Sequence, residues 1–240
     1  MAMDEAVFTG LKEGHSTPVL RFYTWNPATI SIGYFQNASD IDFDQCNEDG
    51  IGVVRRMTGG RAVLHDEELT YSILFTEEDF LPFRKKDIFL FIAQCLVHSL
   101  EALGIESKVA EKTRGDLRSA NCFASPAQFE IESLEQGKLI GSAQVIKDGI
   151  VLQHGAIPLT GSYRAISKYL NSNSDFSKSI SSLNQALGSA IDPDSLLSSL
   201  KRGFGQHVLL EESSLSEYET ALTERLTRDR YGSDTWTLRK

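Results

Sequence analysis

The sequence predicts an α+β fold in a single domain, and three observations carry that reading. Short alternating apolar segments, which read as strands, cluster in residues 19–75 and again in 129–157. Residues 87–103 repeat their apolar side chains at helical spacing, and the part of the chain after Pro158 is serine-rich and helical in pattern. No low-complexity linker and no internal repeat divides the 240 residues, so one domain over 1–240 is the economical reading.

Taken in order, Val19-Leu20-Arg21-Phe22-Tyr23-Thr24-Trp25 and Thr29-Ile30-Ser31-Ile32-Gly33-Tyr34-Phe35 alternate as strands do. Asn26-Pro27-Ala28 between them has hairpin-loop chemistry. A helix is expected from Phe43 to Asp49, ended by Gly50, followed by a strand from Gly52 to Arg56 that runs into Thr58-Gly59-Gly60. Arg61 to Leu64 and Leu69 to Phe75 read as further strands. From Asp87 to Leu103 the apolar positions Ile88, Phe91, Ile92, Cys95, Leu96, Leu100 and Leu103 predict a long helix, with Gly104 as its stop. Residues 111–121 are polar and irregular. Phe129 to Glu132, Lys138 to Ile146 and Gly149 to Ile157 then predict a three-stranded meander, punctuated by turns at Glu135-Gln136-Gly137 and Lys147-Asp148-Gly149. Helices are expected near 163–170, 179–187, 193–203 and 214–230.

Composition bounds the function classes. With 41% hydrophobic and 24% charged residues the chain can bury a sizeable core, which excludes a disordered or fibrous protein. No apolar run approaches the roughly 20 residues of a membrane span, and Met1-Ala2-Met3-Asp4-Glu5 is acidic where a signal peptide is basic and then apolar, so a cytoplasmic protein is expected. A net charge of -9 argues against nucleic acid as a partner. Three cysteines do not make a disulfide framework. Cys95 falls on the apolar face of the long helix and reads as core. Cys46 lies beside Asp44, Glu48 and Asp49, which disfavour its thiolate. Cys122 sits in an irregular loop before a strand, a position from which catalytic side chains are often presented, although a lone loop cysteine can equally be incidental. The histidines show no paired metal-ligand spacing, so no metal site is expected.

Two segments could carry chemistry. In Arg55-Arg56-Met57-Thr58-Gly59-Gly60-Arg61-Ala62-Val63-Leu64-His65-Asp66, paired glycines after a strand let backbone N–H groups approach a ligand, and three arginines offer forked donors for phosphate or carboxylate. A glycine turn with solvated arginines fits the spacing equally well, since this is neither a Walker A nor a dinucleotide fingerprint. In Gly137-Lys138-Leu139-Ile140-Gly141-Ser142-Ala143-Gln144, small residues leave room for an apolar chain to lie against the strand. The lysine at its start could polarise an acyl carbonyl or stabilise a thiolate, or be an ordinary surface lysine at a strand end.

Together these segments resemble the catalytic domain of the biotin/lipoate protein ligase superfamily, and within it the LipM-type octanoyltransferases. The resemblance runs over most of the chain: Pro18 to Tyr23 with Trp25-Asn26-Pro27-Ala28-Thr29, Gly33-Tyr34-Phe35-Gln36-Asn37, Arg55 to Asp66, Glu68-Leu69-Thr70-Tyr71-Ser72, Cys122-Phe123, Gly137 to Gln144, and Leu152-Gln153-His154-Gly155. It implies a mixed sheet flanked by helices, with the acyl chain in a tunnel between the Thr58-Gly59-Gly60 loop and the strand beginning at Lys138. It implies that Cys122 carries an acyl thioester beside an invariant Lys138. Substrate would be bound by Arg55, Thr58, Gly59, Gly60, Arg61, Ala62 and His65 on one side, and by Gly141, Ser142, Ala143, His154 and Gly155 on the other. The implied activity moves an octanoyl group from octanoyl-acyl carrier protein to a lysine of a lipoyl-domain protein, such as the glycine-cleavage H protein, in lipoate biosynthesis and without a cofactor. The alternatives are an amidotransferase that takes octanoyl from the H protein, and an ATP-dependent lipoate-protein ligase. The resemblance implies a further strand before the segment matched by Met1 to Ala6, so either the start is truncated or the sheet lacks an edge strand, and no accessory C-terminal domain of the ligase type is expected. Because acyl carrier proteins and lipoyl domains are usually acidic, a basic face is expected among Arg21, Arg55, Arg56, Arg84, Lys85, Lys86 and Lys147.

Overall fold

The computed structural model describes residues 1–110, 130–135, 137–171 and 181–239. Its helices are α1 (Ala2–Glu13), α2 (Phe43–Glu48), α3 (Lys85–Glu101), α4 (Leu183–Leu187), α5 (Pro193–Gly205), α6 (Glu217–Leu226) and α7 (Asp234–Thr237). Its strands are β1 (Val19–Tyr23), β2 (Thr29–Ile32), β3 (Gly52–Arg55), β4 (Val63–His65), β5 (Glu68–Thr76), β6 (Ser107–Val109), β7 (Ile131–Ser133), β8 (Gly137–Lys147) and β9 (Ile150–Pro158). The α+β expectation holds. Six strands form an antiparallel sheet in the order β1-β5-β9-β8-β7-β6, and a smaller sheet, β3-β2-β4, is mixed because β2 runs parallel to β3 and antiparallel to β4.

The centre of the large sheet is the pairing of β5 with β9 from Glu68↔Pro158 to Thr76↔Ile150. Every residue of β9 is buried, as a strand covered on both faces requires. β8 and β9 form the expected hairpin. Asp148 (φ 53°) and Gly149 (φ 73°) give its two-residue turn the left-handed backbone that matches strand twist. Against one face of the sheet lies α3, whose Ile88, Ile92, Cys95, Leu96 and Leu100 are buried in one cluster with Leu196, Leu200 and Phe204 of α5. A Cβ on Gly203 would stand 2.5 Å from the Cys95 carbonyl oxygen, so the absence of a side chain there sets how closely α5 approaches α3. On another side α1 packs Val7, Phe8 and Leu11 against Leu74, Ile150 and Leu152.

The expected hairpin between the first two strands does not form. β1 joins the edge of the large sheet, pairing Val19↔Leu74 through Tyr23↔Thr70, while β2 becomes the middle of the small one. Their apolar residues explain this. Leu20 and Phe22 pack against the large core, whereas Ile30 and Ile32 belong to a separate cluster with Ala62, Leu64, Ile166 and Tyr169. The strand expected at Arg61 to Leu64 begins only at Val63, because the Arg61 carbonyl accepts from the Arg56 guanidinium at 2.8 Å. The helix expected near 163–170 is a 3-10 helix, Ser162–Tyr169. Those near 179–187 and 214–230 start later, at α4 and α6, where Ser182 and Ser216 close capping boxes with Gln185 and Glu219. After α6 the chain continues as one π-helical turn, Thr227–Tyr231. Among the described residues no helix is long and apolar enough to cross a membrane.

Candidate functional site

The two sheets meet around a pocket. The small sheet contributes Ser31, Val63 and His65. The large sheet contributes Tyr23, Thr70, Lys138, Gly141, Ser142, Ala143, His154, Gly155 and Ala156, and Met1, Trp25, Arg56 and Glu130 complete the wall. Antiparallel register sets Gly141 opposite Ala156, Ser142 opposite Gly155 and Ala143 opposite His154, so a floor of small residues lies between Lys138 and His154. Of the site residues expected from sequence, Lys138, His65, Gly141, Ser142, Ala143, His154 and Gly155 are brought together here.

The glycine loop is organised by Arg56. Its Nε donates to Thr58 Oγ1 (3.2 Å), its Nη1 to Ser31 O (2.9 Å) and Ser31 Oγ (3.2 Å), and its Nη2 to the carbonyls of Gly59 and Arg61 (both 2.8 Å). Thr58 Oγ1 in turn pairs with His154 Nε2 at 2.6 Å, tying the loop to β9. Gly60 lies with φ 94°, and its carbonyl oxygen would stand 1.8 Å from a Cβ on Gly33, a crossing only glycine permits. Ala62 is fully buried in the small-sheet core. Thr58, Gly59, Gly60, Arg61 and Ala62 therefore shape the pocket's surroundings without forming its lining.

Arg55 corrects the sequence expectation. Its guanidinium is fully buried and turns away from the pocket, donating to the carbonyls of Gly33, Tyr34, Gln36, Trp236, Thr237 and Arg239. Adjacent residues of a strand face opposite sides, so of the arginine pair only Arg56 reaches the site. Of the cations expected to form a basic face, Arg21 is paired with Asp4 and Arg55 and Arg56 are buried, whereas Arg84, Lys85 and Lys86 are exposed together at the start of α3, with Arg84 paired to Asp87, and Lys147 is exposed at the far end of β8 from Lys138.

Lys138 is 4% exposed and forms an ion pair with the equally buried Glu130. A buried ammonium is stable only with such a partner, and here it is held at the strand start facing the floor of small residues. His154 is driven the other way. Burial, opposed by Asp4 and reinforced by Arg56, pushes its imidazole down to about 3, and its Nδ1 has no hydrogen-bond partner. It is therefore neutral at physiological pH.

His65 Nδ1 lies 2.8 Å from Glu68 Oε1, its Nε2 lies 2.7 Å from Ser31 Oγ, and Trp25 stacks on its ring at 4.3 Å. Ser31 and Glu130 are site residues the sequence did not single out. Ser31 occupies an unremarkable position in an alternating strand, and Glu130 follows an irregular segment. Cys122 lies outside the described residues. Cys46 and Cys95 are both buried, with thiols pushed up to about 11 and about 12, by burial first and, for Cys46, by Asp42 and Asp49. Neither is a nucleophile at neutral pH. Among the described residues no group of three or more potential ligands could hold a metal ion.

The family model described as the lipoyl protein ligase A/B catalytic domain matches residues 1–205. The sequence is 40% identical to the octanoyltransferase LipM of Clostridioides difficile over 94% of this chain and 89% of that protein. It is 36% identical to the LipM of Brevibacillus brevis over 100% of this chain and 94% of that protein. Among solved structures, a putative lipoate protein ligase from T. acidophilum with bound lipoic acid superposes with a TM-score of 0.80 at 26% identity, covering 99% of this chain and 91% of that one. A lipoate-protein ligase A bound with ATP superposes with a TM-score of 0.82 at 26% identity, covering 99% of this chain and 92% of that one.

Proposed function

The chain belongs to the lipoyl protein ligase A/B catalytic domain family, and from that premise we propose that it is an octanoyltransferase that acylates a lysine of a lipoyl domain from octanoyl-acyl carrier protein. The observation that carries the reading is the near full-length similarity to LipM proteins, together with a pocket that sets Lys138 beside a strand of small residues.

In the proposed mechanism the thiolate of Cys122 attacks the thioester carbonyl of the donor, the carrier's thiol leaves, and an octanoyl-cysteine remains. Lys138 supplies the cation that favours the thiolate and donates to the acyl oxygen as it gains charge. Glu130 keeps the ammonium in place until the substrate enters. The acceptor amine then attacks the acyl-enzyme. A thioester becoming an amide runs downhill, so no nucleotide is consumed. The acyl tail lies along Gly141, Ser142 and Ala143, where a larger side chain would fill the slot.

The ATP-bound neighbour favours a second reading, activation of a free acid as its adenylate. One experiment separates the two. Incubation with octanoyl-acyl carrier protein, without ATP, adds one octanoyl mass to the intact chain, and Cys122→Ser abolishes the adduct while keeping the fold. An adduct that survives in Cys122→Ser would reject the cysteine. Acylation of a lipoyl domain only with ATP and free octanoate would establish the ligase instead. Replacing the carrier protein by octanoyl-H protein as donor tests the amidotransferase alternative in the same assay.

A further inference from the structure

The proposed transfer leaves one proton unaccounted for. A lysine side chain has an ordinary pKa near 10.4 and reaches the enzyme as an ammonium, which cannot attack a carbonyl. Something in the site has to accept a proton before the C–N bond forms.

The pocket wall holds a hydrogen-bonded chain whose direction is fixed at both ends. Arg56 Nη1, a donor only, gives to Ser31 Oγ at 3.2 Å. Ser31 Oγ lies 2.7 Å from His65 Nε2, and His65 Nδ1 lies 2.8 Å from Glu68 Oε1, a carboxylate that accepts. On the other side Trp25 Nε1, again a donor only, gives to Thr70 Oγ1 (2.8 Å), which passes its own hydrogen to Glu68 Oε1 (2.5 Å). With donors only at the two outer ends and Glu68 as the common sink, His65 carries its hydrogen on Nδ1. Its Nε2 is then the acceptor for the Ser31 hydroxyl. The ring cannot swing out of this position, because Trp25 stacks on it with planes 12° apart. All members are sequestered: Ser31, Arg56, His65, Glu68 and Thr70 are each 6% exposed or less.

We propose that Ser31, His65 and Glu68 form the proton relay that deprotonates the acceptor lysine in the transfer half-reaction, a role that rests on the octanoyltransferase reading above. The ammonium gives one proton to Ser31 Oγ as that hydroxyl's own hydrogen moves to His65 Nε2, leaving an imidazolium paired with Glu68. The freed amine forms the C–N bond with the thioester carbonyl, the C–S bond breaks, and the electron pair leaves on sulfur. The second amine proton passes to the departing thiolate, and the imidazolium returns its proton to solvent. The charged and titratable groups that line the pocket with His65 are the Met1 amine, Tyr23, Arg56, Glu130, Lys138 and His154. The one carboxylate among them, Glu130, is paired with Lys138, so Glu68 is the group that makes an imidazolium tolerable there.

The test resolves the two half-reactions with octanoyl-acyl carrier protein and a lipoyl domain. Acylation is followed by intact mass and transfer by loss of the adduct, for wild type, His65→Gln and Ser31→Ala, over pH 7 to 10. The transfer step of each variant falls by about 100-fold at pH 7, more than its acylation step does. That deficit shrinks as pH rises, because solvent then removes the proton that the relay no longer takes. A deficit equal in both steps, or constant across pH, would overturn the relay in favour of a structural role, as would wild-type transfer by either variant. Ser31→Ala, which deletes one hydroxyl, decides the matter where His65→Gln fails to fold. Absence of any adduct on the wild-type chain would defeat the covalent reading alone. The pH arm, then followed as octanoyl mass gained by the lipoyl domain, still judges the relay, since an amine attacking the carrier's own thioester needs the same deprotonation.

Discussion

At the scale of single residues, burial decides which ionisable groups can act. His154 is held down to about 3, chiefly by burial, whereas in the unfolded chain it titrates near 6.5. Between those values the unfolded state binds a proton that the folded state refuses. The stability tied to His154 is therefore fully present above about pH 6.5 and is lost as pH falls toward 3, with a slope of about 1.4 kcal/mol per pH unit for one proton. Urea unfolding from pH 7 down to pH 4 is expected to show that loss, and His154→Gln, which can still bond Thr58, is expected to flatten it. The cysteines give a second expectation. With thiols at about 11 and about 12, Cys46 and Cys95 carry almost no thiolate at pH 7.5. Alkylation of the native chain followed by peptide mass mapping is expected to leave both unmodified, and denaturation is expected to expose both.

At the scale of elements, close approach of helices outweighs helix propensity. Alanine is intrinsically the better helix former by about 1 kcal/mol, yet on Gly203 its Cβ would meet the Cys95 carbonyl oxygen at 2.5 Å and the Ser99 nitrogen at 2.8 Å. Both are backbone atoms and cannot rotate aside. Gly203→Ala is expected to push α5 off α3 and cost about 1–3 kcal/mol in chemical unfolding, where propensity alone predicts a gain. The same contrast marks what could be read from sequence. The long helix and the β8–β9 hairpin were legible because their signals, helical period and a positive-φ turn, are local. The partners of β1 and β2 were not, because which core a strand joins depends on residues far along the chain. Within the site, Lys138 and the Gly141 to Ala143 run stood out as a polar residue and small residues on one strand, whereas His65 and His154 entered only through the family resemblance. Arg55 and Arg56 could not be told apart, since strand alternation sends them opposite ways and the composition of the motif does not say which is which. Ser31 became meaningful only once the fold placed it against His65.

At the scale of the whole molecule, Arg55 joins the pocket's support to the far end of the chain. Its donors bind carbonyls of the 33–36 loop and of residues 236–239, and Trp236 Nε1 returns a bond to the Arg55 carbonyl at 2.9 Å. Arg230 and Arg239 lie over the Trp236 ring at 3.5 and 3.9 Å, and Arg239 also covers Tyr34 at 3.8 Å. The 33–36 loop in turn backs onto Gly60, so the segment that closes the fold also braces the glycine loop. Replacing Arg55 by Met leaves several buried carbonyls without donors and is expected to cost about 3 kcal/mol, with Lys intermediate because an ammonium offers three donors where guanidinium offers five. Chemical unfolding measures that loss, and limited proteolysis should find residues 228–239 newly cleavable. The competing view, that this arginine binds the substrate's carboxylate or phosphate, predicts the reverse pattern. Arg55→Met would then unfold like wild type and resist protease, while its KM for the acyl donor rose, and that result would return Arg55 to the site and take away the brace.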